Sequence, residues 1–411
     1  MSSFLLGFFS ILAQVFVLKE LSGLLTAHEA ALGLGLSAWL LWTAVGMMLP
    51  DLFSRHRREG LPGGSFSFYT CVIFTAAAAA DLILIRNSGL LLKPGLLPGL
   101  LQLITLSFLL PLPAALANGL ALARGLSEKH LVFYRGETLG AAAGGAMTLA
   151  YAFYFPGTDP LLILGIAAIA LIVSLSAAVK GAAKPAAAGL LVAALFIGGM
   201  RFAPPFALPG AFKGAAAYAR AGGSRLAMLE TGGQRTFVED GAVLAQSPAP
   251  EQAGVFAHLP LLAHKDPRDV LFTGPGGIFL AAEAEKHHPD SLTIADPDRF
   301  RTAFLLKNAG PARVSAGIET ADARILLRSG RKFDLIFQTA PEPLNAAANR
   351  FFTREFFLEA GNALKRGGIL AFTLPFSENY LPPERAYLAA SVLASASSAF
   401  KHVERIPGGT L

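Results

Sequence analysis

The sequence predicts two kinds of structure in one chain, a multi-pass α-helical membrane domain followed by an α/β domain with a parallel sheet. Long apolar runs fill the first half, and 53% of the 411 residues are hydrophobic while 15% are charged. In the second half, short apolar runs alternate with helix-like segments. This alternation is typical of a parallel sheet covered on both faces.

The membrane domain is predicted over residues 1–204. About twenty apolar residues cross the hydrocarbon core of a bilayer, and about seven segments qualify: 4–25, 30–50, 66–85, 97–121, 132–155, 161–179 and the shorter, Ala- and Gly-rich 186–200. We therefore expect a multi-pass protein of the plasma (inner) membrane, with the lipid bilayer as its partner. The single cysteine, Cys71, excludes a disulfide within one chain.

The net charge of +6 lies mostly in short loops of the membrane half, so it indicates no nucleic-acid partner. Basic residues follow the second, fourth and sixth predicted spans, for example Arg55, Arg124 and Lys180. This distribution favours a cytoplasmic N-terminus. Seven spans would then place the second half outside, where adenosyl cofactors are not expected, so the side of that domain stays open.

A glycine stripe runs along the fifth predicted span at Gly136, Gly140 and Gly144. Residues four apart share a helix face, and glycines there let a second helix approach closely, as in membrane proteins generally. The stripe predicts helix packing rather than a ligand site.

Five ionisable residues are predicted at or near membrane depth, where a charge is costly. They are Lys19, Glu20, Glu29, Asp81 and Glu137. Glu29 or Glu137 is the expected partner of Lys19. Two interpretations remain open: a structural ion pair with interfacial anchors, or a polar path for a cation or organic amine.

Prolines and glycines near residues 201–215 mark the end of the membrane domain. Residues 205–250 then predict a small unit of short β-strands, with turns at Gly232-Gly233 and Asp240-Gly241. The third domain, 251–411, is predicted to be a Rossmann-like sheet of the methyltransferase type. Its strands are expected at 269–273, 291–295, 312–315, 333–337 and 369–373, and its final strands are expected beyond Leu411.

The first strand of this series leads into a turn containing Gly274, Gly276 and Gly277, and Asp296 follows the second strand. Glycines permit close approach of a ligand, and an acid at this position can accept hydrogen bonds from ribose hydroxyls. The layout predicts a nucleoside-binding βαβ unit. No spacing of His, Asp and Glu indicates a metal, and His287-His288 is typical of a solvated helix end.

The chain resembles the spermidine synthase family in its version fused to a membrane domain. The motifs that carry the resemblance are 257–262 with 267–271, 293–298, 322–324, 333–337, 351–357 and 364–370. In the membrane half, segments 14–20 and 39–41 and the glycine-striped span are similar too, and that span resembles helices of the major facilitator type.

The resemblance implies transfer of an aminopropyl group from decarboxylated S-adenosylmethionine to an amine. Asp296 would hold the ribose, Asp322 and Ala323 would meet the adenine, and the glycine turn would leave room for the sulfonium centre. This chemistry also needs a base that keeps the attacking amine neutral.

The sequence departs from the family where the chemistry takes place. The acid of the family's glycine loop is missing from residues 274–279, and Thr339 occupies the position of the expected base. Glu342 alone keeps a carboxylate in the expected amine pocket.

Two functions of different classes therefore stay open. The first is a membrane-bound, adenosyl-dependent transferase with a degenerate catalytic loop, in which Glu342 supplies the remaining carboxylate. The alternative is a non-catalytic nucleoside- or amine-sensing domain coupled to a membrane carrier or scaffold. The acceptor, any transported solute and the oligomeric state do not follow from the sequence.

Overall fold

The computed structural model describes residues 2–25, 29–54, 63–88, 99–128, 130–155, 157–176, 183–202, 215–221, 224–240, 242–247, 251–310, 315–343, 345–374 and 382–406. The chain divides into two units, Met1–Lys213 and Gly214–Leu411. The small β-unit thus belongs to the second unit, together with the parallel sheet.

The first unit is helical in its described part. Its elements are α1 (Ser2–Leu24), α2 (Glu29–Ser54), α3 (Gly63–Ser88), α4 (Leu100–Leu109), α5 (Leu112–Glu128), α6 (His130–Tyr154), α7 (Pro160–Ser176) and α8 (Ala183–Phe202). Every apolar segment predicted from the sequence overlaps at least one of these helices.

Five described segments are long and apolar enough to cross a membrane: Ser2–Leu24, Glu29–Pro50, Phe68–Ser88, Leu100–Ala123 and Lys184–Arg201. The helix α7 is apolar but shorter. The helix α6 carries Arg135 and Glu137 among its glycines, which lowers its hydropathy. The count of seven spans and the likeness to the major facilitator type therefore stay predictions.

The helix predicted over 97–121 is interrupted in the structure. The helix α4 ends at Leu109 and α5 begins at Leu112, with Pro111 and Pro113 at the junction. A proline has no N–H to donate, so two helical hydrogen bonds are lost there. The segment Leu100–Ala123 nevertheless keeps the length and hydropathy of the predicted span.

The glycine stripe of α6 contacts another helix, as predicted, and the structure identifies that helix as α1. A Cβ atom on Gly140 would overlap the Phe4 backbone, and one on Gly144 would overlap Ile11 and the Phe8 carbonyl. A Cβ atom on Gly136 would overlap the Ser3 side chain. The two backbones approach most closely at Gly140, where no side chain fits without a shift of the helices.

An unpredicted charge cluster joins α1 to α3. Arg86, which lies beyond the predicted third span, is 2% exposed and Glu20 is 1% exposed. The Arg86 guanidinium lies 3.3 Å from a Glu20 oxygen and 2.7 Å from an Asp159 oxygen. Lys19 Nζ lies 5.8 Å from the centre of the Tyr151 ring. The carboxylate partner expected for Lys19 stays a prediction.

The second unit begins with an antiparallel sheet in the order β1 (Ala217–Ala221), β2 (Ser224–Thr231), β3 (Gln234–Glu239), β4 (Ala242–Ser247). Gly232 and Gly233 connect β2 to β3 with φ of 59° and 83°. Both positive values are easy for glycine and suit a tight hairpin, so this predicted turn is confirmed. Gly241, in the other predicted turn, lies outside the described residues.

A five-stranded parallel sheet follows, in the order β7-β6-β5-β8-β9. Its strands are β5 (Asp269–Phe272), β6 (Ser291–Ala295), β7 (Gly317–Glu319), β8 (Phe333–Gln338) and β9 (Leu364–Phe372), and its helices are α9 (Glu251–Ala263), α10 (Gly277–Glu285), α11 (Arg299–Asn308), α12 (Ala323–Leu327), α13 (Ala346–Asn349), α14 (Arg354–Ala363) and α15 (Pro383–Ser397). Apolar cores on both faces confirm the Rossmann-like prediction.

One strand is displaced from its prediction. The third strand was expected at 312–315, but β7 spans Gly317–Glu319 and residues 311–314 lie outside the described part. Only Ile318 of this short edge strand contributes to the apolar core. A three-residue strand gives almost no periodic signal, which explains the shift.

Candidate functional site

The strand order creates a switch point between β5 and β8. From β5 the chain continues through β6 to β7 on one side, while β8 and β9 lie on the other. Ligands of open α/β sheets bind outside the carboxyl ends of the strands at such a point. The predicted glycine turn follows β5 and Thr339 follows β8, so the fold brings both to this position.

The two loops at the switch point touch. The Thr339 hydroxyl donates a hydrogen bond to the Gly274 carbonyl at 3.0 Å. A Cβ atom on Gly274 or on Gly276 would lie 3.1 Å from the Thr339 carbonyl oxygen, and one on Gly277 would overlap the Phe272 side chain. Glycine is thus needed at Gly277 and favours the close packing at Gly274 and Gly276, while the predicted role of the turn beside a sulfonium stays a prediction.

Gln338 ends β8, directly before Thr339. It is 1% exposed, and neither its side-chain oxygen nor its nitrogen has a hydrogen-bond partner among the described residues. Leaving a buried polar group unsatisfied costs about 1–3 kcal/mol. In the sequence, Gln338 is recognisable only as an amide at the end of the strand FDLIFQ, all of whose residues are buried. Gln338 therefore keeps an unsatisfied donor and acceptor at the buried end of the strand that leads to Thr339.

Asp296 lies after β6 but is engaged by the protein itself. It is 0% exposed, and one oxygen accepts hydrogen bonds from Arg301 Nε at 3.1 Å and from the Thr302 hydroxyl at 2.8 Å. The other oxygen accepts from the Asp298 N–H at 3.0 Å and from Arg301. The predicted contact with ribose therefore requires Arg301 to turn away.

Arg301 also joins the parallel sheet to the β-unit. It donates to both oxygens of Glu239 in β3, at 3.1 and 2.9 Å. Burial disfavours the charge on Arg301, but its hydrogen bonds to Asp296 and the charge of Glu239 outweigh burial and raise the pKa of Arg301. The guanidinium consequently stays charged and holds two carboxylates together.

Asp322 begins α12 after β7. One of its oxygens accepts the Arg324 N–H at 2.9 Å, and the other pairs with the Arg350 guanidinium. This is a helix N-cap, which satisfies one of the free N–H groups of the first turn. Ala323 is 1% exposed. The predicted contacts of Asp322 and Ala323 with adenine stay predictions.

Glu342 pairs with a cation. One of its oxygens lies 2.6 Å from Arg385 Nη1 in α15, and both side chains are about 30% exposed. An exposed ion pair contributes only about 0–1 kcal/mol, yet the positive charge beside Glu342 opposes a cationic amine. The carboxylate predicted for the amine pocket is thus already neutralised.

His288 is exposed after the end of α10, as expected, while His287 is partly buried against a second histidine. The His287 Nε2 lies 2.7 Å from His258 Nδ1 in α9, and His258 Nε2 lies 3.0 Å from a Glu283 oxygen. Burial, followed by the nearby His258 and His288, lowers the pKa of His287. Among the described residues, no group of three or more His, Cys, Asp and Glu side chains is arranged to hold a metal ion.

Comparison with known proteins shows which proteins this chain is similar to. It is 31% identical over 121 residues to the polyamine aminopropyltransferase of Bacillus subtilis, covering 28% of this chain and 43% of that protein. It is 30% identical over 122 residues to the Lachnospira eligens enzyme of the same name, covering 28% and 42%. The chain is spermidine synthase-like.

The matched part spans less than half the length of these spermidine synthase-like relatives. No family model matches the chain. Solved structures similar to it include a spermidine synthase from Thermotoga maritima, with 20% identity, a TM-score of 0.39 and coverage of 46% of this chain and 65% of that one. A spermidine synthase in complex with the transition-state analogue AdoDATO has the same identity and TM-score, with coverage of 46% and 64%.

The parallel sheet thus brings the glycine turn and Thr339 into contact, while the predicted acids are engaged by other residues of the protein. Asp296, Asp322 and Glu342 each pair with an arginine that the motifs did not identify: Arg301, Arg350 and Arg385. Arg301 follows five residues after its partner, a spacing visible in the sequence. The other two pairs join distant segments of the chain.

Proposed function

We propose that this chain is a membrane-bound, spermidine synthase-like protein whose sheet domain binds an adenosyl nucleoside at the β5–β8 switch point. The observation that carries this proposal is the contact between the glycine turn and Thr339. Decarboxylated S-adenosylmethionine is the cofactor that the relatives imply. The domain is of aminopropyltransferase type with a catalytic loop that lacks the family's base.

A non-catalytic sensing role is the second candidate, and two observations favour it. Thr339 uses its hydroxyl proton to bond Gly274, and Glu342 is paired with Arg385. The two candidates share nucleoside binding and differ in turnover. We therefore derive no transfer step for the described conformation.

Binding can be tested on the full-length protein in detergent by calorimetric titration with decarboxylated S-adenosylmethionine and with 5′-methylthioadenosine. We expect Asp296→Ala to weaken binding by about 1.5–3 kcal/mol, the usual contribution of hydrogen bonds to a charged group. In this variant Arg301 retains its ion pair with Glu239, so the Arg301 guanidinium still has a carboxylate partner.

Glu239→Gln is the matched control, because it disturbs the same arginine without removing the predicted ribose contact. Equal weakening by both variants would show that Asp296 acts only through Arg301. Absence of adenosyl binding in a folded sample would exclude both the transferase and the nucleoside sensor.

Membrane insertion is expected from the five long apolar helices. Alkaline carbonate washing should leave the protein in the membrane pellet, and only detergent should extract it. A truncated form of this chain that lacks residues 1–204 serves as the comparison, and carbonate should release it. Release of the full chain by carbonate alone would contradict the insertion.

The side of the sheet domain is a sharper test. A domain that uses an adenosyl cofactor should be cytoplasmic, and a cytoplasmic N-terminus then requires an even number of spans. Five segments are long and apolar enough to cross a membrane. If either α6 or α7 also crosses it, the number of spans is six. We expect cytoplasmic activity from reporters fused at Gly214. An external signal would count heavily against the transferase.

A further inference from the structure

A buried carboxylate lies beside the break between α4 and α5. Asp81, on α3, is 0% exposed. Its Oδ2 accepts a hydrogen bond from the Ala114 N–H at 3.1 Å, while its Oδ1 has no hydrogen-bond partner among the described residues. Asp81 is therefore half satisfied, within one of the five segments able to cross a membrane.

The break between α4 and α5 explains why a backbone N–H is free to donate to Asp81. The first N–H groups of a helix have no acceptor within that helix, and Ala114 lies in the first turn of α5 after Pro111. On the other side of the break, Ser107 of α4 is also 0% exposed and its hydroxyl has no partner among the described residues. The interruption thus leaves polar atoms on both sides inside an apolar core.

A hydrogen bond between α1 and α5 extends this polar region. Asn118 follows Ala114 by four residues and so lies on the same face of α5. It is 3% exposed, and its oxygen accepts a hydrogen bond from the Ser10 hydroxyl at 3.0 Å. Four helices, α1, α3, α4 and α5, therefore contribute polar groups near the break.

Among the described side chains, Asp81 forms no ion pair with a charged residue of the helices packed against α3. Arg86, on α3 itself, pairs with Glu20 of α1 and with Asp159, and Lys19 of α1 lies over Tyr151. The helix α7 contains no charged residue. The charged side chains of α8, Lys184 and Arg201, are exposed near its ends, and those of α5, Arg124 and Glu128, lie outside the described side chains.

We propose that Asp81 is a proton-binding site of the helical domain, with its proton on Oδ1. Protonation removes a charge that is costly in apolar surroundings, and Oδ2 still accepts from Ala114. A metal cation fits less well, because the group that reaches Asp81 is an N–H donor rather than an oxygen ligand. This proposal rests on the proposed membrane insertion of the helices and adds a buried proton-binding site to it.

Infrared spectroscopy of the full-length protein tests the protonation directly. At neutral pH we expect a protonated-carboxyl C=O band that is lost in Asp81→Asn, a variant of the same shape that can still accept from Ala114. Glu20→Gln is the control and should leave the band unchanged, because Glu20 is paired with Arg86. Absence of the band in the unmodified protein, or its loss in the control, would overturn the proposal.

Carbodiimide labelling with mass spectrometry gives a second measurement, since the reagent adds to protonated carboxyls in apolar surroundings. An adduct on Asp81 that diminishes as the pH rises supports the proposal. Protection by Na⁺ but not K⁺ at fixed pH would overturn it in favour of a cation site. Carbonate extraction tests membrane insertion separately. A failure of the proton-binding proposal can therefore be distinguished from a failure of the proposed insertion.

Discussion

Gly140→Ala should lower the thermal stability of the helical domain and its accumulation in membranes, although alanine is the better helix former. A Cβ atom at this position overlaps the Phe4 backbone, and a backbone cannot move aside as a flexible side chain can. Overpacking of this kind costs roughly 1–3 kcal/mol. Gly140→Asp should prevent accumulation, because a charge adds about 2.5–3.5 kcal/mol on insertion scales.

Gly145 on the same helix is the matched control, because nothing lies within 4 Å of a Cβ atom built there. Gly145→Ala should be neutral or stabilising by about 0.5–1 kcal/mol, the conformational cost of glycine. Thermal unfolding of the detergent-solubilised variants and their amounts in membranes measure both effects. Equal behaviour of the two alanine variants would contradict the close contact between α1 and α6.

Periodic features of the sequence predicted the fold well, because each element carries its own signal. The glycine stripe identified a contact face of α6, and its partner α1 came only from the structure. The alternation of strands and helices predicted the parallel sheet. The break at Pro111 was missed because the apolar run continues through it, so composition outweighed the local effect of proline.

The candidate site was predicted less completely, since pairing depends on residues that the fold brings together. Asp296 stands where a ribose acid is expected, but its engagement by Arg301 depends on side-chain geometry. The pair of Glu342 and Arg385 joins residues 43 positions apart, and no local pattern connects them. Sequence motifs thus identified positions at the switch point, while the charges that neutralise them required the structure.

The unmodified protein should bind the adenosyl nucleoside but form little or no spermidine from putrescine and decarboxylated S-adenosylmethionine. A threonine hydroxyl cannot take a proton from an amine at neutral pH as a carboxylate can, and a positioned general base is typically worth about 10²–10⁴-fold in rate. The Thr339 hydroxyl also donates its hydrogen bond to the Gly274 carbonyl at 3.0 Å. Robust spermidine formation by the unmodified protein would show that Thr339 does not mark a lost base.

Thr339→Asp is the substitution most suited to raise transfer, and the structure shows what limits it. An ionised aspartate cannot donate a hydrogen bond to the Gly274 carbonyl. Repulsion between the carboxylate and that carbonyl oxygen should therefore turn the carboxylate away from the glycine turn, to a position where it can accept a proton from an amine. Arg385 would still oppose a cationic amine through its pair with Glu342. We therefore expect a larger gain when Thr339→Asp is combined with Arg385→Ala. Chromatography of the products measures transfer, and Thr339→Asn is the matched control, with the shape of aspartate but no base. A gain shared by the asparagine variant would assign the effect to loop packing rather than to proton transfer.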